Sequence, residues 1–184
     1  PRQIGGVLWF GNDDPNMVAY TPIYCGNTVQ PECYNTPGAD AVTFSDKNAY
    51  WVCNWVSNMV YPRYSLMFPS VKAVRDRLDS TYMADQQGVE MKAQQLYALS
   101  PQSAIEYLNK YSNDNARQML AIWKNTYLIV KYNDMTIKPE KGGKFARTTE
   151  GIGATVVRPG YPEKYARELI KQTGDKFVYP EKKK

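Results

Sequence analysis

The spacing of apolar residues changes character near residue 45. Before that point, Ile4-Gly5-Gly6-Val7-Leu8-Trp9-Phe10-Gly11 is a short apolar run, closed by the turn-forming Asn12-Asp13-Asp14-Pro15. A run of this length between glycines and a turn predicts a strand buried on both faces. Met17-Val18-Ala19-Tyr20 predicts a second strand that pairs back across the turn. Residues 21–45 carry Pro22, Gly26, Pro31, Pro37 and Gly38, which predicts a long irregular segment. Loops of that length inside a compact domain are often functional.

From Ser45 the period becomes helical. Ser45 is placed to cap a helix whose apolar residues Ala49, Val52, Cys53, Val56, Met59 and Val60 share helical spacing, with Tyr50, Trp51 and Trp55 on the other side. Pro62 should end or kink it. Pro69-Ser70 predicts the start of a longer stretch with the stripe Val71, Val74, Leu78, Tyr82, continued after Gly88 by Val89, Ala93 and Leu96. Ser100-Pro101 is a strong N-cap and first-turn signal for a helix through Ala104, Ile105 and Leu108. Ser112-Asn113-Asp114-Asn115 breaks the pattern and predicts the cap of another helix, striped by Ala116, Met119, Leu120, Trp123, Tyr127 and Val130. Pro and Gly then recur from Pro139 to Gly160. Tyr161-Pro162-Glu163 predicts a last short helix stopped by Gly174, and Phe177-Val178-Tyr179 a strand end.

No internal repeat appears. The layout is strands and a long loop over 1–45, a helical region over 46–136, and a loose C-terminal segment with one short helix over 137–184. That is an α+β class, a strand-rich start followed by a helical bundle.

Composition fits a globular chain of 184 residues, 43% hydrophobic and 22% charged. Aromatic residues reach 13%, with fifteen Tyr, which suits a core with wet edges or a surface packed against a partner. The net charge is +5, yet residues 1–46 hold one basic residue, Arg2, against Asp13, Asp14, Glu32, Asp40 and Asp46. Lys182-Lys183-Lys184 reads as a solvated terminus rather than a nucleic-acid or membrane tail, because no basic stripe interleaved with aromatics precedes it. No nucleic-acid partner is expected. No apolar run approaches the ~20 residues of a membrane span.

Chemistry is bounded most sharply by an absence: the chain contains no His. It cannot by itself build a Ser-His-Asp or Cys-His arrangement. Imidazole-based zinc sites are likewise not expected. Cys25, Cys33 and Cys53 form no CxxC pair. Cys25 and Cys33 share one irregular segment and could bridge in an oxidising compartment, whereas Cys53 reads as a small buried hydrophobe. Neither a metal nor another cofactor is expected. Mechanisms with a terminal amine as base need no His, but they require a nucleophile at residue 1. Residue 1 is Pro. For such an enzyme the nucleophile is expected on polypeptide preceding Pro1.

Three motifs carry candidate chemistry. Gly11-Asn12-Asp13-Asp14 would deliver polar groups at a strand end, although an ordinary hairpin turn explains the same residues. Adjacent Asp13 and Asp14 would point to opposite faces of an extended strand, so they make a poor acid/base pair. Tyr61-Pro62-Arg63-Tyr64 offers a planar fork for a carboxylate, against the simpler reading of an Arg stacked on its Tyr neighbours or paired with an acid. Trp51 and Trp55 could line a pocket, but a spacing of four favours core packing.

Several ordered stretches resemble a known family. They are Gly6-Val7-Leu8-Trp9-Phe10-Gly11-Asn12-Asp13-Asp14, Tyr20-Thr21-Pro22-Ile23-Tyr24-Cys25-Gly26, Phe44-Ser45 leading into Ala49-Tyr50-Trp51-Val52-Cys53-Asn54-Trp55-Val56, Tyr61-Pro62-Arg63-Tyr64-Ser65 and Leu128-Ile129-Val130-Lys131-Tyr132-Asn133-Asp134. They are similar to the C-terminal part of Bacteroides-type bacterial dipeptidases, secreted or cell-associated, which are related to penicillin acylases and bile-salt hydrolases. The resemblance implies a four-layer αββα sandwich. It implies an N-terminal Cys that attacks the scissile amide of a dipeptide with its own amine as base, without a metal. It slightly favours a periplasmic or secreted location over the cytoplasm.

None of the three cysteines can stand in for that nucleophile, so the partner expected for this chain is an upstream Cys-initiated segment. Under the resemblance Asn12 is the candidate oxyanion donor, Asp13 would orient the substrate's amine, and Arg63 its carboxylate. Homo-oligomers remain open. The competing readings are a non-catalytic peptide-, sugar- or protein-binding scaffold domain and, last, an independent carboxylate-based hydrolase.

Overall fold

The computed structural model describes residues 1, 4–130, 161 and 163–174. The chain divides into two compact units, Pro1–Asp134 and Met135–Lys184. In the first, β1 (Val7–Phe10) pairs antiparallel with β2 (Thr21–Tyr24), and three helices follow: α1 (Ala49–Val60), α2 (Tyr64–Leu99) and α3 (Pro101–Leu128). One small sheet and mostly helix make the class α+β, as the sequence pattern predicts.

The second strand lies further along than the pattern suggests. Met17, Val18 and Ala19 are buried but lie outside the ladder, and Thr21–Tyr24 pairs instead, with Val7 opposite Tyr24 and Trp9 opposite Pro22. Cys25 N donates to Gly6 O at 2.8 Å. Antiparallel alternation then makes Trp9 and Pro22 a non-bonded pair, the one kind of position where a proline costs the ladder nothing. The predicted loop over 21–45 is accordingly shortened by β2 and by a 3₁₀ turn at Glu32–Tyr34.

Nor is β1 buried on both faces. Val7 packs with Ile4, Tyr24, Val89, Ala93 and Leu108. Leu8 points the other way and is 55% exposed. Further along that face Phe10 lies edge-on to Tyr34 of the 3₁₀ turn at 4.8 Å, with the Thr21 and Tyr34 hydroxyls 2.5 Å apart.

Helix boundaries follow local chemistry. Asn48, not Ser45, caps α1, its side chain accepting from Trp51 N. Ser45 Oγ is occupied by Lys47 N. Pro62 falls in the 3₁₀ turn Tyr61–Arg63 that separates α1 from α2. α2 begins at Tyr64 rather than Pro69, holds Pro69 in its second turn, and runs through Gly88. A mid-helix Gly costs about 1 kcal/mol against Ala, less than the burial of Leu78, Tyr82, Val89 and Ala93 along one stripe contributes. Ser100 caps α3, accepting from Ser103 N at 3.3 Å, with Pro101 in the first turn.

α3 is continuous through Ser112–Asn115, contrary to the predicted break. The polar residues there do not cap. Asn113 and Asn115 donate to Asn109 O and Tyr111 O one turn back, and Asp114 pairs with Lys110 and Arg117. α3 is the central element, packing on α2, α1 and β2.

In the second unit α4 spans Glu163–Thr173, and Gly174 ends it with φ 63 and its N–H on Ile170 O at 2.7 Å. The expected strand end at 177–179, the Pro/Gly-rich stretch 139–160, residues 131–134 of the resembling motif and the lysine tail lie outside the described residues. No described helix is long and apolar enough to cross a membrane.

Candidate functional site

The polar turn after β1 is bound along one side of α1. At its root, Gly11 permits a close approach: a Cβ there would sit 2.6 Å from Val18 Cγ2. Asn12 follows, half-buried, its Oδ1 fully enclosed and without a hydrogen-bond partner. Asp13 then takes φ 70, the left-handed region that side-chain-bearing residues enter at a cost and that Asp tolerates better than most.

The carboxylate of Asp13 is engaged on both oxygens. Asn54 Nδ2 donates to Oδ1 at 3.0 Å, and the Ser57 hydroxyl donates to Oδ2. Asp14 diverges from it, its Oδ2 accepting from the Tyr61 hydroxyl and its Oδ1 from Asn16 N at 2.8 Å. Asn16 continues the network, donating to Tyr64 Oη at 2.5 Å, while its carbonyl accepts from Arg75 at 2.6 Å. Tyr20 N donates to Asp79 Oδ1 at 3.0 Å and ties the end of the turn to α2.

Arg63 lies between Tyr61 and Tyr64, the two tyrosines bound to this turn. Its Nε is buried without a partner, and among the described residues it makes no ion pair and no ring contact. Among the described residues, then, Arg63 is neither stacked on its Tyr neighbours nor paired with an acid. Tyr64 stacks on Phe68, and the cation over Phe68 is Arg75.

The structure thus brings the Asn12–Asp13 turn and the Arg63 segment to one side of the molecule through Asp14–Tyr61 and Asn16–Tyr64. Sequence reasoning singled out Asn12, Asp13 and Arg63 and missed Asn54, Ser57 and Tyr61. Their signal is a polar stripe at intervals of three and four, running from α1 into the 3₁₀ turn at its end.

Trp51 and Trp55 serve packing. Trp55 is stacked between Phe44 and Tyr127, at 4.8 and 5.0 Å, and Trp51 Nε1 donates to Asp40 O and Thr43 O, both at 3.1 Å. They pin the 40–44 loop to the helices.

All three cysteines are free, so the bridge considered for Cys25 and Cys33 is not formed. Cys33 is turned into the core, its Sγ 3.8 Å from Ala116 O, while Cys25 is exposed beside Gly6. Burial pushes the Cys33 thiol up to about 11, and burial together with the Asp13 carboxylate raises that of Cys53 further. Thiols held protonated in this way are poor nucleophiles. Brief iodoacetamide treatment of the folded chain near pH 8 should therefore label Cys25 and spare Cys33 and Cys53. Peptide mass mapping checks this, and rapid labelling of either buried thiol would contradict the packing described.

Residues 1–77 match Peptidase family C69. The matched segment holds β1, β2, α1, the Arg63 turn and the start of α2, and with them the polar network above except Asp79. Over 118 residues the chain is 25% identical to a probable dipeptidase B of Streptococcus pyogenes serotype M1, a match covering 64% of this chain and 23% of the relative. Probable dipeptidases B from serotype M3 and M6 strains are likewise 25% identical over 119 residues, with the same coverage. The chain thus spans under a quarter of the length of these relatives. Together the matches support the resemblance to a dipeptidase family, and with it a relationship to peptide hydrolases.

Proposed function

We propose that this chain forms part of a dipeptidase whose nucleophile, an N-terminal Cys with its own amine as base, lies on polypeptide outside residues 1–184. One observation carries the reading: the family-matched segment coincides with the turn that presents Asn12 beside the Arg63 segment. The chain's own chemistry agrees with it. With no His in the chain, neither a Ser-His-Asp nor a Cys-His arrangement can be built from it, and Cys33 and Cys53 are buried.

In this reading residues 1–45 complete a sheet of the four-layer sandwich, 46–136 supply flanking helices, and 137–184 form the C-terminal segment. A two-stranded sheet is marginal alone, and the exposed face carrying Leu8 gives added strands or helices a surface to cover. Asn12 donates to the oxyanion of the tetrahedral intermediate. Arg63, its guanidinium free of acidic partners among the described residues, receives the substrate's carboxylate through its planar fork. A role for Asp13 in holding the substrate's amine requires a third donor on a carboxylate already bonded by Asn54 and Ser57.

The test is complementation. Residues 1–184 alone should release no amino acid from a panel of dipeptides, and adding a Cys-initiated segment of the same enzyme should restore release. Cleavage by residues 1–184 unaided would refute the proposal, and so would a reconstituted complex that stays inert.

A further inference from the structure

Asp13 combines two features that rarely meet without a purpose. Its backbone is left-handed, and its carboxylate is bonded by two side chains of α1. A strained backbone persists only where its surroundings over-determine it. Here the surroundings are explicit. Asn54 and Ser57 stand one turn apart on α1, and Tyr61, four residues beyond Ser57, holds the neighbouring Asp14. Ser57 is 2% exposed, so its hydroxyl is a buried polar group on an apolar helix. Such a group is tolerated when it is satisfied, and here the Asp13 carboxylate accepts from it, with Asn54 O a more distant acceptor at 3.2 Å.

The geometry points to Asp13, clamped by Ser57 and Asn54, as a positioning residue that fixes where the Asn12 amide is presented. This rests on the reading of Asn12 as an oxyanion donor and adds to it a mechanism of placement. Asn12 has no hydrogen bond of its own to hold its enclosed Oδ1, so its position is set through the backbone it shares with Asp13. Rotation of Asp13 out of the left-handed region would redirect the peptide between the two residues and carry the amide away. A displacement near 1 Å in a catalytic group can cost on the order of 100-fold in rate.

The role separates from its competitors by kinetics. In the complete enzyme, Ser57→Ala and Asp13→Asn should each lower kcat about tenfold or more while KM for a dipeptide stays within about twofold. Asp13→Asn keeps the size of the side chain and its tolerance of positive φ, so it guards against a fold lost through Ser57→Ala. The decisive arm is the double variant: in an Asn12→Ala background, Ser57→Ala should cause little further loss, because both changes act through one group.

Circular dichroism and unfolding midpoints accompany each variant. Activity lost only together with the fold would reduce the clamp to a structural contact and overturn the proposal. A rise in KM with kcat preserved would place Asp13 on the substrate's amine and overturn it too. Equal losses from Ser57→Ala with and without Asn12 would have the same effect. If Asn12→Ala lowers kcat and neither clamp variant does, the clamp falls and the oxyanion reading stands. If Asn12→Ala is silent, the oxyanion reading falls and takes the clamp with it.

Discussion

Replacing Trp123 by Ala is expected to destabilise the fold by about 3–5 kcal/mol, the range for removing a large aromatic from a closed core. Trp123 is the largest side chain with no exposed surface, on the α3 stripe with Ala116 and Met119. Because α3 packs on α2, α1 and β2, a hole at this position opens between several elements at once. Collapse around it would require moving helices rather than rotating one side chain, so most of the cavity cost should remain. The indole Nε1 is buried without a partner. Trp123→Phe removes that unpaired donor and keeps most of the apolar volume. It should therefore cost well under half as much as the alanine variant. Urea unfolding followed by circular dichroism measures both. A shift below about 1 kcal/mol for Trp123→Ala would mean that the core around α3 is loosely packed.

That stripe is also where the sequence is most informative. A period of 3.6 over Ala116, Met119 and Trp123 can mark only one helical face, and packing has no reason to override it. Ser100-Pro101 and Gly174 are equally legible, because a cap and a left-handed stop are set by the residue itself. The errors share another cause. Ser112–Asn115 looks like a break because polar residues with local acceptors favour caps, yet one turn back α3 offers a carbonyl to Asn113 and to Asn115 and a cation to Asp114. The second strand is misplaced because burial and ladder pairing are different things: Met17–Ala19 are buried without being paired.

The candidate site divides along the same line. Asn12, Asp13 and Arg63 stand out as polar residues in turns, a signal carried by their immediate neighbours. Their partners do not. The Asp13–Ser57 and Asp14–Tyr61 bonds join positions 44 and 47 residues apart, and no local pattern encodes such a separation. Ser57 in particular resembles a small core residue, until the fold brings a carboxylate against it.

For Asn12 itself, the proposed role predicts that Asn12→Ala lowers kcat of the complete enzyme about 100-fold or more, the typical cost of losing one oxyanion donor. An amide donor of this kind acts on charge that develops as the thiolate adds to the carbonyl. It gains less from the neutral ground-state oxygen, so KM should change little. Asn12→Asp should be at least as damaging, since an acceptor-only carboxylate would face the developing negative charge. Arg63→Ala should show the opposite split, a raised KM with a smaller change in kcat, because a substrate carboxylate is held alike in both states. Stability separates these effects from unfolding. Asn12 Oδ1 has no protein partner to lose, so the alanine variant should unfold within about 0.5 kcal/mol of the parent. An Asn12→Ala enzyme that turns over dipeptides at the parental rate would remove the oxyanion from this turn and leave Asn12 as an ordinary loop residue.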